Sequence, residues 1–434
     1  MFQTLKNAFK TKEVRRKLLI TFALLLVYRI GCYIPVPGME QFLASKEAGG
    51  LFGGYTFLQV MSAMTGGSLQ YATFFAMGVG PYINAQIIMQ LLTVAIKPLE
   101  NLSKQGEEGR RKIEKYTRIL TVVLAIVQSL GILLGFQDNI SFQYLFGADK
   151  KWLGFIFLIL IYTAGASLTM WIGERITEYG ISNGVSLLIF VGVISSFGQY
   201  TIKLFGKLGS SNTAIWNLLG FILATVFIFM AIVAVDGAER KILVQYAKQV
   251  KGRKMYGGQS TYIPMKLNAS GVMPLIFAYS IISFPDLIMS LFSPNSNAYK
   301  WWKGNMGAGS WSYMVVLCVL ILFFAYFYAQ IQFQPDDVSR NIQSNGGFIP
   351  GIRPGKPTTD YLKKINNRIT LFGAIFLAIV AFVPTIVFKA VDPTNTMTVF
   401  SATGLLIAVS CALEFQQAVD AQVMMKNYSG FLKK

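Results

Sequence analysis

The sequence predicts an all-α polytopic membrane protein with ten transmembrane helices. Three observations predict this class: the 434-residue chain is 53% hydrophobic, only 14% of it is charged, and it contains ten separate apolar runs. A soluble domain carries about 25% charged residues, so this chain lacks the polar surface to cover several soluble domains. Runs of about 20 apolar residues span a bilayer as helices, because backbone groups in lipid must be paired within the segment.

The ten runs are spread along the whole chain. The predicted spans are Leu18–Val36, Tyr71–Ile96, Ile119–Phe136, Trp152–Ile172, Val185–Tyr200, Thr213–Val235, Val272–Phe292, Ser312–Ile331, Ile369–Phe388 and Thr398–Val423. The first run follows a basic start but continues into Ile-Pro-Val-Pro-Gly without a small-x-small cleavage site, so we expect a span and not a cleaved signal peptide.

Positive charge is distributed unequally between the two sides of the membrane. Segments on the side of the N-terminus contain 30 of the 39 Lys and Arg residues, and the opposite loops contain 8. Because cytoplasmic loops carry the excess of Lys and Arg, both termini are expected in the cytoplasm. The net charge of +19 is therefore explained by membrane topology and is not in itself evidence of a nucleic-acid partner.

The ten spans divide into two sets of five. Since five is odd, the second set begins on the opposite side of the membrane, which permits an inverted-repeat architecture. The sequence shows no strong internal similarity, so the repeat stays a geometric possibility at this point. The predicted organisation is a cytoplasmic N-terminus (1–17), an N-terminal half (18–203), a C-terminal half (204–424) and a cytoplasmic tail (425–434).

Two cytoplasmic loops, 236–271 and 334–368, are long, basic and rich in glycine, proline and aromatic residues. The positive-inside rule explains their charge but not their length. Loops of this length without helical periodicity are usually functional, and exposed Arg and Tyr favour protein or RNA partners. We expect a docking surface on these loops.

The outer segment between the first two spans contains a short apolar stretch, Tyr55–Met64, flanked by paired glycines such as Gly53-Gly54 and Gly66-Gly67. Ten residues are too few to span the membrane. The stretch is either a half-helix that re-enters the bundle, where it would line a cavity, or an amphipathic surface helix. Composition leaves both alternatives open.

No active site is predicted. The chain has no histidine, which removes the commonest general base and metal ligand, and Cys32, Cys318 and Cys411 are not spaced as a metal site or a disulfide framework. A GxxxxGK[ST] phosphate loop is absent. We therefore expect no cofactor and no metal. The remaining candidates are a channel for a large cargo, a secondary transporter of a small solute and, least favoured, a membrane enzyme.

Arg29 and Glu414 lie within predicted spans, and they are too few to favour an ion-coupled transporter, which would be expected to show several midplane carboxylates. Pairing inside the bundle is the expected role of Glu414. Large basic loops favour the channel.

Six sequence blocks resemble the bacterial SecY family, the pore subunit of the Sec protein-conducting channel. They are RIGCYIPVPG (29–38), GVGPYINAQIIMQLL (78–92), EGRRKIEKYTR (108–118), GERITEYGISNGVS (173–186), GRKMYGGQSTYIP (252–264) and GGFIPGIRPGKPT (346–358). The resemblance covers essentially the whole chain, and the last two blocks are the most specific. It implies two inverted five-helix halves that close like a clamshell around an hourglass pore, with a short re-entrant plug helix at about residues 56–70.

The resemblance also implies roles for individual residues. The implied pore constriction is an apolar ring of Val79, Ile83, Val185, Ile189, Ile276 and Ile407. The implied plug, which seals the pore from outside, includes Tyr55, Phe57, Leu58, Val60, Met61, Met64, Gly66 and Gly67. The implied lateral gate includes Asn84, Gln128 and Phe284. The implied docking site for the SecA ATPase and the ribosome includes Arg253, Lys254, Arg353 and Tyr428.

The physical properties of these residues suit such roles. Val79/Ile83 and Val185/Ile189 are spaced i,i+4, so each pair shares one helix face. Branched apolar side chains bind an extended peptide weakly yet close around it, and a narrow apolar constriction dewets and resists ion leak. Asn84 and Gln128 are polar groups in apolar spans, and a hydrogen bond across the closed gate would contribute about 1 kcal/mol.

The implied function is that of the central channel subunit of the Sec translocon. Such a subunit passes unfolded secretory proteins across the bacterial cytoplasmic membrane and releases membrane-protein helices laterally into it. The implied partners are SecE, SecG, SecA, the ribosome, signal sequences with their nascent polypeptides, and membrane lipid. Energy would come from these partners, because the chain has no nucleotide-binding loop.

Overall fold

A computed structural model describes residues 9–39, 62, 64–135, 151–206, 213–246, 249–251, 254–256, 260–268, 271–290, 296–306, 310–391 and 401–431. The helices are α1 Lys12–Gly31, α2 Gly80–Ala95, α3 Lys97–Lys104, α4 Glu107–Gly135, α5 Lys151–Tyr179, α6 Gly184–Gly206, α7 Thr213–Asp236, α8 Met273–Ser290, α9 Asn297–Met306, α10 Trp311–Gln332, α11 Pro335–Ser344, α12 Lys356–Val391 and α13 Ser401–Phe431. The strands are β1 Glu239–Tyr246, β2 Gln249–Lys251, β3 Lys254–Tyr256, β4 Ser260–Lys266 and β5 Gly347–Phe348.

Each of the ten predicted spans corresponds to one helix. Within the described residues, six helices (α4, α5, α7, α10, α12 and α13) are long and apolar enough to cross a membrane by length and composition. The other four spans correspond to α1, α2, α6 and α8, which are shorter over their apolar part or carry more charge. The all-α class of the spans is thereby confirmed.

The second span begins later than predicted. Residues 71–79 form turns, and α2 starts only at Gly80. Ala72 and Gly78 have positive φ angles of 46° and 52°, which an α-helix cannot accommodate. Pro81 then lies in the first turn of α2, where its missing N–H removes no helical hydrogen bond.

The helices pack as two groups of five that meet along two seams. In the first group α2 contacts α4, α4 contacts α5, and α5 contacts α6 and α1. In the second group α8 contacts α10, α10 contacts α12, and α13 contacts α12 and α7. The groups meet through α6 and α13 on one seam and through α8 with α4 and α2 on the other. This is the two-halves arrangement that the odd span count permits.

The first group ends later than expected. Helix α6 extends to Gly206, beyond the predicted boundary between residues 203 and 204. Helix α7 begins at Thr213. We therefore place the division between the halves in the connection 207–212.

The two long basic loops form one folded unit, which we call the loop module: strands β1, β4 and β5, helix α11 and the first turns of α12. Strand β1 pairs antiparallel with β4 of its own loop and with β5 of the other loop. The core consists of Ile242, Val244, Met265, Ile342, Ile349, Leu362, Ile365 and Ile369. The strands were not predicted, because few of the side chains in β1 and β4 are buried and both strands alternate weakly between buried and exposed positions.

Truncation of Leu362 to alanine is expected to loosen both loops together. Leu362 is fully buried in the core shared by the two loops, and large-to-small changes at such sites cost about 2–5 kcal/mol. Hydrogen exchange should therefore accelerate at the amides of β1, β4 and β5, while the apolar helices keep their protection. The neighbouring exposed Lys363 provides the control, since Lys363→Ala should leave exchange unchanged. Unaltered protection of β5 in Leu362→Ala would contradict a shared core.

Candidate functional site: an apolar ring, a plug seat and an exposed loop module

The structure brings the six residues of the apolar ring into one apolar cluster. Val79, Ile83, Ile189 and Ile407 are 2–7% exposed and belong to its buried core, and Val185 and Ile276 are half-buried and pack against it. Four elements contribute: the start of α2, the start of α6, the first turn of α8 and the second turn of α13. The ring residues therefore come from both halves of the bundle.

A tight turn before α6 positions two of these residues. The Oδ1 atom of Asn183 accepts a hydrogen bond from the Val185 N–H at 3.0 Å, and Thr177 Oγ1 accepts one from the Gly184 N–H at 2.9 Å. A Cβ atom at Gly184 would overlap the carbonyl oxygen of Gly173, so only glycine permits this approach. The Ser-Asn-Gly sequence thus places Val185 and Ile189 on the first turns of α6.

The end of the predicted plug, residues 64–70, lies inside the bundle and is mostly buried. Met64 packs against the same apolar cluster as the ring, and Gly66 and Gly67 have positive φ angles of 70° and 87°. This position agrees with re-entry and not with a surface helix. The other plug residues, Tyr55, Phe57, Leu58, Val60 and Met61, lie outside the described residues.

Helix α6 and Arg29 form a seat for the plug end. A Cβ atom added at Gly192 would overlap the carbonyl oxygen of Met64 and lie 3.2 Å from the Gly66 nitrogen. Arg29 Nη2 donates to Ser195 Oγ and, at 3.1 Å, to the Tyr33 hydroxyl. Arg29 Nη1 is buried, has no hydrogen-bond partner among the described residues, and occupies the space that a Cβ atom at Gly66 would need. We call Arg29, Gly192 and Ser195 the plug seat.

The predicted gate residues lie on helices that line one seam between the halves. Asn84 on α2 is 8% exposed and Gln128 on α4 is 3% exposed. Gln128 Oε1 is buried and accepts no hydrogen bond, so the expected bond from Asn84 to this oxygen is not formed in the described part of the chain. Phe284 falls on α8, but its side chain lies outside the described residues.

Replacement of Gln128 by leucine is expected to tighten the closed gate. A buried carbonyl oxygen without a partner costs about 1–3 kcal/mol, and leucine removes that cost at similar volume. Secretion of preproteins with weakly hydrophobic signal sequences should fall about fivefold or more, while strong signal sequences are still accepted. Gln128→Glu adds a buried charge and should act in the opposite direction. Identical signal preference in both variants would show that this position does not bear on the gate.

An ion pair joins α4 to its neighbour α5. Arg118 Nε donates to Glu174 Oε1 at 2.6 Å. Arg118 is half-exposed, so the pair adds little stability by itself. Its effect is to fix the relative position of two helices in the first half.

Of the four predicted docking residues, Arg353 has a described side chain, and that side chain is exposed. Arg353 is exposed in the turn between β5 and α12, where its carbonyl oxygen accepts a hydrogen bond from Thr358 Oγ1 at 2.9 Å. Lys254 is in β3 and Tyr428 is near the end of α13, but their side chains lie outside the described residues, as does Arg253 altogether. The structure therefore describes one of the four side chains.

The sequence pattern singles out Arg29 and Glu414 as charged residues within spans, but it did not identify the residues that contact Arg29. Gly192 and Ser195 of α6 contact the plug end and Arg29. Small residues on an apolar helix signal a close approach by another segment, and the sequence shows such residues in α6. The sequence does not show which segment approaches, because Arg29 and Ser195 are 166 positions apart.

Known proteins of similar sequence belong to the family that the sequence blocks resemble. A family model described as SecY matches residues 73–416. The protein translocase subunit SecY of Streptomyces griseus is 40% identical over 447 residues, covering 100% of both chains. The protein translocase subunit SecY of Thermotoga maritima is 39% identical over 442 residues, covering 100% of this chain and 98% of the relative.

Solved structures share the fold at low sequence identity. A structure described as "The structure of a protein conducting channel" has a TM-score of 0.64 and 17% identity, covering 93% of this chain and 91% of that chain. One described as "Sec61 in the Canine ribosome-channel complex from the endoplasmic reticulum" has a TM-score of 0.60 and 15% identity, covering 93% and 91%. A third, whose description says that the plug domain of the SecY protein stabilises the closed state, has a TM-score of 0.59 and 19% identity, with coverage of 93% and 91%.

Proposed function

The chain belongs to the SecY family, whose members are protein translocase subunits, and we propose that it works as the central channel of the Sec translocon. It is a multi-pass membrane protein and a channel subunit, not an enzyme. Unfolded secretory proteins cross the membrane through it, and membrane-protein helices leave it sideways into lipid. The observation that carries this function is that six branched apolar residues from both halves belong to, or pack against, the same buried apolar cluster.

The proposed conduction path passes through the apolar ring. Valine and isoleucine side chains offer no hydrogen bonds to a passing chain, so they bind an extended polypeptide weakly and independently of its sequence. In the resting channel the same side chains close on one another and the constriction excludes water and ions. The plug adds a second seal, which agrees with the burial of residues 64–70 beside the ring.

The proposed exit to lipid is the seam between α2 and α4 on one side and α8 on the other. These helices contact one another across the two halves, and Gln128 Oε1 of α4, which has no hydrogen-bond partner among the described residues, makes the closed arrangement of these helices less stable. A signal sequence that enters here replaces helix–helix contact by its own apolar contact. The two five-helix groups then move apart as rigid bodies.

The proposed location is the bacterial cytoplasmic membrane with both termini in the cytoplasm. The support is the concentration of 30 of the 39 Lys and Arg residues on the side of the N-terminus. The loop module lies on that side, and we propose that SecA and the ribosome dock there. One structural relative is described as part of a ribosome–channel complex. Arginine suits both partners, because its guanidinium pairs bidentately with rRNA phosphates and with carboxylates.

SecE and SecG complete the proposed assembly, SecE by bracing the two halves and SecG at the periphery. The support within this chain is the extent of apolar surface left exposed on several helices, such as Phe22 on α1 and Phe227 on α7. Such surface is covered by lipid or by partner helices. The alternative of a small-solute transporter is not supported, because the relatives above are translocase subunits and channels.

One reconstitution tests the function. The chain is incorporated with SecE into liposomes, and SecA, ATP and a preprotein are added. The preprotein should become protected from protease only when ATP is present. A preprotein without its signal sequence is the control and should stay accessible to protease. Lack of ATP-dependent protection by an intact, folded complex would refute the channel function.

A further inference from the structure

A cluster of polar side chains joins three elements of the second half at a position that the ring, the plug and the gate do not use. Asp236 is the last residue of α7. Its Oδ1 accepts a hydrogen bond from Asn268 Nδ2 at 2.8 Å, and its Oδ2 accepts one from Ser410 Oγ. Asn268 and Ser410 are only 7% and 5% exposed. We call Asp236, Asn268 and Ser410 the polar clamp.

Further polar residues extend the clamp along α13. Ser410, Glu414 and Gln417 are spaced i,i+4,i+7 and share one face of that helix. Lys266, the last residue of β4, donates from Nζ to Gln417 Oε1 at 2.9 Å. Glu414 is close enough to Lys266 and Asp236 to be attracted by the first and repelled by the second. The face of α13 that bears these residues is thus attached to the connection between β4 and α8.

The placement of Asp236 is unfavourable without its partners. A carboxylate at the C-terminal end of a helix opposes the helix dipole, and a partly buried carboxylate needs hydrogen-bond donors. Asn268 and Ser410 supply those donors from two other elements. The carboxylate of Asp236 therefore links α7 to α13 and to the connection before α8 through two hydrogen bonds, in addition to the apolar contacts between these elements.

The clamp lies between the loop module and two ring residues. Lys266 of β4 stands opposite Glu239 of β1 in the strand register. The connection that the clamp holds therefore continues directly from the end of the sheet. Asn268 is followed within the same connection by α8, whose first turn contains Ile276. Ile407 lies one helical turn before Ser410 on α13. Along the chain, Ile407 is therefore three positions from a clamp residue and Ile276 is eight positions from one.

We propose that Asp236, Asn268 and Ser410 are positioning residues that couple the loop module to the pore constriction. When a partner displaces the sheet, the hydrogen bonds of the clamp make the start of α8 and the adjoining turn of α13 move with it. Ile276 and Ile407 are thereby drawn out of the ring together. The inference rests on the proposed docking and channel functions and adds the residues that link them.

The test compares partner binding with transport in the reconstituted complex. Ser410→Ala removes one donor to Asp236, and Asp236→Asn removes the charge at constant shape. Ser167→Ala is the matched control, because Ser167 Oγ bonds only within its own helix, to the Thr163 carbonyl at 2.8 Å. Loss of one hydrogen bond to a charged acceptor corresponds to about a tenfold change in an equilibrium. The affinity of ribosomes and SecA for the complex should stay within about twofold, while preprotein translocation at saturating SecA falls about tenfold in both clamp variants.

The outcomes separate this inference from the proposed function. Failure of the unsubstituted complex to bind ribosomes or to translocate would refute the proposed function itself. Normal translocation in Ser410→Ala and Asp236→Asn, equal to that of Ser167→Ala, would overturn the coupling role alone. Weaker partner binding that accounts for the whole transport defect would also overturn it, because the clamp would then only maintain the docking surface.

Discussion

Substitution of Gly192 by valine is expected to leave the resting channel permeable to ions. The plug end crosses α6 at this glycine, and an added Cβ atom would overlap the Met64 carbonyl oxygen. Overpacking of this kind costs about 1–3 kcal/mol, which corresponds to about a 5- to 150-fold rise in the population with a displaced plug. Ion conductance of the resting channel in planar bilayers should rise accordingly, and preproteins with defective signal sequences should be secreted.

A second glycine of the same helix is the control for this prediction. Among the described residues, a Cβ atom at Gly198 would meet no atom within 4 Å, so Gly198→Val changes the same helix by the same amount without touching the described plug end. Its conductance should equal that of the unsubstituted channel. If both variants conduct ions equally well at rest, the effect comes from α6 itself. If neither variant conducts more than the unsubstituted channel, the position of the plug end does not depend on Gly192.

Charge reversal at Arg353 is expected to abolish most secretion while leaving the protein folded. The side chain is exposed, and the turn that presents it is held by the hydrogen bond from Thr358 Oγ1 to the Arg353 carbonyl oxygen. Arg353→Glu therefore alters the surface without removing a contact that shapes it. Loss of a charge pair at an interface costs about 2–5 kcal/mol, so SecA-driven transport should fall about 30-fold or more.

The comparison that isolates Arg353 uses an exposed arginine on another element. Arg110 lies in the first turns of α4, away from the loop module, and Arg110→Glu changes the net charge equally. Transport and ribosome binding should stay near normal in that variant. A comparable loss in both variants would attribute the defect to net charge, and normal transport in Arg353→Glu would remove this residue from the docking surface.

Much of the fold follows from local rules that act on each segment alone. The ten spans and their alternating direction could be predicted because lipid penalises every charged side chain and every unpaired backbone group, whatever the rest of the chain does. The i,i+4 pairs Val79/Ile83 and Val185/Ile189 share a helix face for the same local reason. The start of α2 was misplaced because positive φ angles at Ala72 and Gly78 leave no mark in hydropathy.

The contacts that make a site depend on residues far apart in the chain. Pairing of β1 with β5 unites two loops about a hundred residues apart, and it could not be predicted, because β1 alternates weakly and β5 has only 2 residues. Gln128 Oε1 accepts no hydrogen bond from the described residues, and the hydrogen bond expected across the gate stays a prediction, since spacing along the chain says nothing of the distance between side chains of different helices. Glu414 is in none of the ion pairs found among the described residues, and Lys266 donates to Gln417 instead, so the pairing expected for Glu414 also stays a prediction.

The ten spans and the basic loops on one side of the membrane follow from composition and charge alone, because both act through the solvent that surrounds each segment. The structure was needed to show that the six predicted ring residues belong to or pack against one apolar cluster, that the Met64 backbone leaves no room for a Cβ atom at Gly192, and that Asp236 joins Asn268 to Ser410. Those contacts depend on close packing between elements, where a single Cβ atom or hydrogen bond determines the approach.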